Sequence, residues 1–304
     1  MTISERTERF AGLQVIDWKP GEPVVHQPGQ VHRLSMDYDD EGSMAERLTA
    51  YLEAADTASL QALVIGAWGE AHDEGPEPFL EVLIDRAAEL PALKALFVGD
   101  MTYEECEISW IIQGDYGPLL AAFTGLEVLR IRGSTSLELP AFRHDALREL
   151  AIECGGLPRE ISEALASSTL PKLETLELWL GTDDYGFDGD VDLVRRVVAA
   201  LRGPALKTLG LRDAEIADDV AKWLAGEAWV AGLQKLDLSL GTLGDAGAEA
   251  LCGSANVARV PVVDLSHHYI SPALQERLRA AVPGVVLDDA QAPGDEDRYV
   301  AVGE

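Results

Sequence analysis

Positive charge is scarce in this chain: 24 Lys and Arg stand against 53 Asp and Glu, a formal net charge of -29 over 304 residues. Binding to nucleic acid or to an anionic membrane surface rests on cations that neutralise phosphate, so the charge balance excludes both partners. Cysteine is rare as well. Cys106, Cys154 and Cys252 are the three present; they lack metal-ligand spacing and read as small, reduced hydrophobes of a cytoplasmic protein. No run approaches the roughly 18 uninterrupted apolar residues of a membrane span, and residues 1 to 10 lack the apolar core of a signal peptide. Also missing are the phosphate loop Gly-x-x-x-x-Gly-Lys, a Cys-x-x-Cys pair and the Gly-x-Ser-x-Gly elbow. The expectation is a protein that is not an enzyme and holds no cofactor or metal.

Apolar residues, by contrast, make up 47% of the chain, ample for a core, so the acids decorate a folded surface. The apolar side chains recur as Leu-x-x-Leu-x-Leu: Val31/Leu34/Met36, Leu60/Leu63/Ile65, Leu93/Leu96/Val98, Leu126/Leu129/Ile131, Leu147/Leu150/Ile152, Leu173/Leu176/Leu178, Leu206/Leu209/Leu211, Leu233/Leu236/Leu238, Val260/Val263/Leu265 and Val282/Val285/Leu287. Positions 1, 4 and 6 of each copy turn inward from a short strand. Between copies lie helical faces at Leu48/Leu52/Ala55, Phe79/Leu83/Ala87/Leu90, Val194/Val197/Val198/Leu201 and Leu274/Leu278/Ala281/Val282, each with i, i+3, i+4, i+7 spacing. Ser271 before Pro272 reads as an N-cap followed by proline at the first helical position. Units of strand, loop and helix at a near-constant period stack as a one-dimensional array. Residues 31–287 are therefore assigned to about ten such repeats, residues 1–30 to an N-terminal cap carrying the apolar run Leu13 to Trp18, and residues 288–304 to an acidic C-terminal tail.

Over residues 31–287 the chain resembles a leucine-rich repeat protein of the ribonuclease-inhibitor type. The best-matching stretch is Leu233-Gln-Lys-Leu-Asp-Leu-Ser-Leu-Gly-Thr-Leu-Gly-Asp-Ala-Gly-Ala-Glu-Ala-Leu251. The segments from Leu96 to Trp110 and from Leu176 to Gly186 are also similar to an uncharacterised bacterial family of such proteins. The resemblance implies an α/β fold, a right-handed solenoid or horseshoe with a parallel concave sheet and convex helices, and a cytosolic location; it implies no catalytic residue. One departure matters physically. The slot after each strand that ordinarily carries Asn or Cys is here Asp39, Trp68, Met101, Ser134, Gly155, Gly181, Ala214, Gly241 and His268, and Asn256 is the only asparagine of the chain. The buried turn amides must find water, backbone or other polar partners.

Strand residues that do not point inward line the concave face, the usual binding surface of a solenoid. Phe97 and Trp179 stand there as aromatic anchors, with Arg130, Arg132, Glu177 and Arg212 around them, because aromatics and Arg dominate binding hot spots. Asp237 and Asp264 occupy equivalent positions on adjacent strands, beside Ser239 and Ser266. Two loops exceed what the repeat requires: Gly99 to Gly117, with Glu104, Glu105, Glu107 and Trp110, and Gly181 to Asp190, with Asp183, Asp184 and Tyr185. Long loops on a rigid scaffold often carry function, and these two read as acidic lips on one rim. The second is no calcium loop, since counting from Asp184 puts Gly186 and Arg195 where oxygen ligands are needed. His267 and His268 point to opposite faces and cannot share an ion, while His26, His32, His72 and His144 belong to other repeats; His268 fills the missing Asn slot.

The function expected from these features is non-catalytic binding of a protein or peptide, basic in character, through the concave face and the acidic loops. A second expectation is an accessory scaffold presenting a peptide substrate to a biosynthetic enzyme. An enzyme built on Asp237, Asp264 and Ser266 ranks third.

Overall fold

The computed structural model of the chain describes residues 3–25, 27–292 and 298–303; His26 and residues 293–297 of the expected tail lie outside them. Two compact units divide the chain. One holds the described residues up to Glu153 together with 167–172, the other 154–166 with 173–303.

The N-terminal unit runs β1 (Arg9–Phe10), β2 (Leu13–Asp17), β3 (Gln30–Met36), α1 (Met44–Ala54), β4 (Ala62–Trp68), α2 (Glu77–Asp85), β5 (Ala95–Val98), α3 (Gly117–Ala122), β6 (Val128–Arg132) and β7 (Glu149–Glu153). β1 and β2 form an antiparallel pair joined by a turn in which Gly12 has φ 78°. From β2 to β7 each strand pairs parallel with the next. The register stacks like on like: Leu63, Leu96, Leu129 and Leu150 form one column, and Ile65, Val98, Ile131 and Ile152 the next. All eight are fully buried. Each such side chain contributes on the order of 1.5–3 kcal/mol of burial, so a slip of one residue, which would turn both columns to the opposite face, is prohibitively costly. Leu60, Leu93, Leu126 and Leu147 precede their strands and are buried in the entry turns.

Helix α1 starts at a capping box, in which Ser43 Oγ accepts from Glu46 N–H at 3.2 Å and Glu46 Oε2 accepts from Ser43 N–H at 3.0 Å. It buries Met44, Leu48, Tyr51 and Leu52. The expected helical faces run past the real ends: Ala55 is already the extended C-cap of α1, while Ala87 lies in a 3-10 turn after α2. No helix separates β6 from β7, where the repeat is shortest.

The C-terminal unit runs α4 (Arg159–Ala166), β8 (Thr175–Gly181), α5 (Val191–Leu201), β9 (Thr208–Ala214), α6 (Ala217–Ala225), β10 (Lys235–Asp237), α7 (Asp245–Cys252), β11 (Val262–Asp264), α8 (Pro272–Ala281) and β12 (Val285–Val286). β8 to β12 pair parallel in chain order, with Leu176, Leu209, Leu236 and Val263 in one column. The helices pack side by side in the same order, α4 on α5, α6 on α7 and α7 on α8. Pro272 opens α8 as expected, but the Ser271 hydroxyl makes no capping hydrogen bond. Both units are thus stretches of α/β repeat solenoid.

The asparagine-poor turns are satisfied by main chain. Asp213 N–H donates to Ser239 O (2.9 Å), Leu240 N–H to Ser266 O (2.8 Å) and His267 N–H to Asp288 O (3.0 Å), each bond tying one exit turn to the next. His268 does stand in for the missing amide: buried completely, it accepts from Ile270 N–H through Nδ1 at 3.1 Å, and burial lowers its pKa. Within the expected acidic tail, Ala301 and Val302 are buried in the C-terminal unit.

Candidate functional site

In the N-terminal unit the sheet face expected to bind a partner is already covered. Phe97 lies on that face but is 0% exposed. Its ring packs at 5.7 Å from that of Phe10 in β1, within a cluster completed by Val31, Ala62, Val64 and Ala95. The guanidinium carbons of Arg130 and Arg132 sit 5.6 and 5.3 Å from its ring centre. Phe97 is therefore a core residue and offers no anchor to a partner; the hairpin β1–β2, expected to cover the end of the first repeat, reaches over this face as well.

The arginines of the same face are spent on acids of neighbouring strands. Arg132 Nε meets Glu153 at 2.7 Å and its Nη1 meets Asp100 at 3.5 Å; Arg130 pairs with Glu153 at 2.9 Å and Glu149 at 3.3 Å. Asp100, fully buried, also takes Arg33 Nη1 at 2.8 Å, and Arg33 reaches Asp17 at 2.7 Å. Arg6 then joins Asp17 to Glu105. Burial opposes the Arg33 charge, yet Asp17 and Asp100 outweigh it and raise its pKa. Burial likewise opposes ionisation of Glu105, but Arg6 and the Thr102 donors hold it below the usual carboxylate range. Glu105 is thus a structural tether for the N-terminal segment and not a free lip of the loop. A cleft of about 410 Å³ is lined by Arg6, Lys19, Arg33 and Arg47 together with Asp17, Asp37 and Asp40, so acids stand close to its bases throughout.

In the C-terminal unit the second expected anchor, Trp179, is 6% exposed. Its indole N–H donates to Glu177 Oε1 at 2.9 Å, and Arg212 lies over its ring at 5.0 Å. Arg212 donates to Glu177 at 2.8 Å and to Ser239 Oγ at 3.0 Å. Asp237 and Asp264 do face each other across β10 and β11, but Lys235 stands between them, 2.8 Å from Asp237 and 3.8 Å from Asp264. Ser239 and Ser266 donate to the carboxylates two residues before them, at 2.6 and 2.7 Å. Burial opposes the Asp237 charge, but Arg212, Lys235 and Ser239 together keep its pKa lowered.

The exposed chemistry lies on the loops. Between β5 and α3, Tyr103 is 41% and Trp110 60% exposed, with Glu104 exposed and Glu107 half-buried alongside. Sequence reasoning noted Trp110 but gave the anchoring role to the two strand aromatics. After β8, Asp183, Asp184 and Tyr185 form a 3-10 turn closed by Gly186 at φ 102°. Asp183 N–H donates to Glu215 at 3.2 Å; burial, together with the Asp183 and Asp184 charges, raises the Glu215 pKa. Cys106 is a buried thiol pushed up to about 11 by desolvation, unsuited to nucleophilic chemistry. Among the described residues no group of three or more His, Cys, Asp or Glu side chains is arranged to hold a metal ion, and no helix is long and apolar enough to cross a membrane.

No protein-family model matches the sequence, and no curated protein matches it. The fold is similar to that of a Bacteroides fragilis protein known from a crystal structure, with a TM-score of 0.81, 28% sequence identity and coverage of 90% of this chain and 77% of the other.

Proposed function

We propose that this chain is a non-catalytic leucine-rich repeat module of the cytoplasm that binds a basic protein or peptide, and that its contact surface is the loop between β5 and α3. The observation that carries the reading is Trp110, exposed in the company of Tyr103, Glu104 and Glu107. An exposed tryptophan on a loop that also carries carboxylates offers an apolar anchor and steering for cations. The net charge of -29 extends that steering beyond the loop. The turn at Asp183, Asp184 and Tyr185 sets two exposed carboxylates beside a half-buried tyrosine in the C-terminal unit. The sheet faces contribute rigidity instead, since their charges are internally paired.

The test is capture of partners at low salt by the wild type and by Trp110→Ala with Glu104→Gln and Glu107→Gln. A basic partner retained by the wild type, lost by the variant and associating more slowly as salt rises supports the reading. Retention by the variant, or an association rate indifferent to salt, overturns it.

A further inference from the structure

The last described residues, 298–303, cross the exit turns of β9, β10 and β11, and three of their main-chain amides donate there. Tyr299 N–H donates to Tyr269 Oη at 2.9 Å, and Tyr299 O accepts from Tyr269 Oη at 3.0 Å and sits 3.2 Å from His267 Nε2. Ala301 N–H donates to Leu240 O at 2.7 Å. Val302 N–H donates to Asp213 Oδ1 at 2.9 Å. Arg298 Nη1 reaches Asp218 Oδ2 at 3.1 Å and Thr242 O at 3.2 Å, passing over Gly244, where a Cβ would come within 2.0 Å of the guanidinium. Ala301 and Val302 are 1% and 4% exposed.

The receiving surface is built from strained backbone. Asp213, Leu240 and His267, three of the residues that hold the segment, have φ of 51°, 69° and 59°. A left-handed non-glycine residue costs about 1–2 kcal/mol; the same left-handed position recurs at Gly133 and Asp289, so it belongs to the repeat turn, which the segment here uses. The turn aims the Leu240 carbonyl, the Asp213 carboxylate and the His267 ring at one passing chain. Asp213 is fully buried, and desolvation raises its pKa well above the usual range. A carboxyl group kept dry to accept a main-chain amide is a recognition device, because it reads a passing backbone and not a side chain.

We propose that this row of exit turns is a peptide-binding cleft for segments of the form Arg-x-x-Ala-Val, occupied in the free protein by the chain's own residues 298–302. The cation is read by Asp218, the two small apolar side chains by the buried seats of Ala301 and Val302, and the main chain by Leu240, Asp213 and Tyr269. A tethered occupant acts at an effective concentration of about millimolar, so a peptide from outside competes poorly until the segment is dislodged. This site is separate from the β5–α3 loop and does not depend on the function proposed for it.

The probe is the labelled peptide Arg-Tyr-Val-Ala-Val-Gly-Glu, titrated by fluorescence anisotropy against the full chain. Ala301→Asp places a second carboxylate in a dry seat and dislodges the tethered segment. This variant is expected to bind the peptide at least about tenfold more tightly than the wild type. Adding Asp213→Ala to it is expected to abolish the gain, with circular dichroism unchanged. Arg298→Glu, on the surface and opposite Asp218, serves as a second means of release and is expected to give a smaller gain in the same direction. Equal binding by wild type and both released variants, or undiminished binding after Asp213→Ala, overturns the proposal.

Discussion

Replacing Phe97 with alanine decides between the two roles a strand aromatic can play on a repeat sheet. A binding anchor waiting for its partner is removed at little cost to the free protein; surface substitutions stay within about 0.5 kcal/mol. The structure places the ring at 0% exposure, against Phe10 and beneath two guanidinium groups. A buried Phe→Ala change costs about 3–5 kcal/mol through lost transfer energy and the residual cavity. Each cation–π contact adds about 0.5–1 kcal/mol, which places the expected loss near the top of that range. Phe10→Ala empties the same contact from the other side and is expected to cost about 3 kcal/mol. Because the two rings share one interface, the double variant should be less destabilised than the sum of the singles, by about 1 kcal/mol for a tilted aromatic pair. Urea unfolding of the four proteins, followed by circular dichroism, gives the cycle. A Phe97→Ala cost below about 1 kcal/mol, or strictly additive effects, would refute the covered face.

Asp100→Ala leaves Arg33 and Arg132 facing each other across a vacated buried site, so a loss of about 3 kcal/mol is expected in the same unfolding assay; a neutral variant would mean that the ladder is decorative. Gly181→Ala puts a Cβ within 1.7 Å of Gly155 O at φ 72°; a clash with backbone on top of the left-handed penalty of about 1 kcal/mol should lower the melting temperature markedly, and an unchanged melt would contradict the turn. Acid titration of stability separates two aspartates. The Asp237 pKa is lowered on folding, so its contribution is present above the unfolded value of about 3.9 and fades as pH falls through the folded one. The Asp213 pKa is raised, so stability linked to it is greatest below about 3.9 and declines as pH rises through the folded value. Asp213→Asn should therefore remove a loss toward neutral pH and Asp237→Asn a loss toward acid, as read by denaturant midpoints between pH 3 and 8; parallel profiles would sink both assignments.

The repeat architecture was legible because position 4 of every copy must be apolar for the columns to stack, and Leu63, Leu96, Leu129 and Leu150 announce it locally. Accessibility of the opposite face was not legible. Whether Phe97 is open depends on Phe10, far away in sequence and in a two-residue strand that no periodicity reveals. Charge pairing was hidden for a related reason. Arg130 and Arg132 stood beside the expected anchors as contact residues until the register set them against Glu149, Glu153 and Asp100, and only stacking tells which acids lie within reach. Trp110 is the converse case, since the loop's excess length marked it while its sequence gave no sign that it would stay exposed. The docking of Val302 on Asp213 joins residues 89 apart, beyond any local signal.

The left-handed residue at the strand exits carries a consequence for how such a chain changes. Gly133, Asp213, Leu240, His267 and Asp289 all have positive φ, and each stands eight places into its own repeat. Chain direction is reset there before the outer connection begins. The sheet alignment is thus complete once the eighth position is passed, and nothing downstream needs to count residues. A connection can grow into the long β5–α3 loop, which the left-handed Gly99 opens one place earlier, or shrink to the helix-free passage between β6 and β7 without disturbing the sheet register. That makes the outer loops exchangeable cassettes, so that transplanting the Trp110 loop between repeats should move the proposed contact surface while the scaffold stays in register.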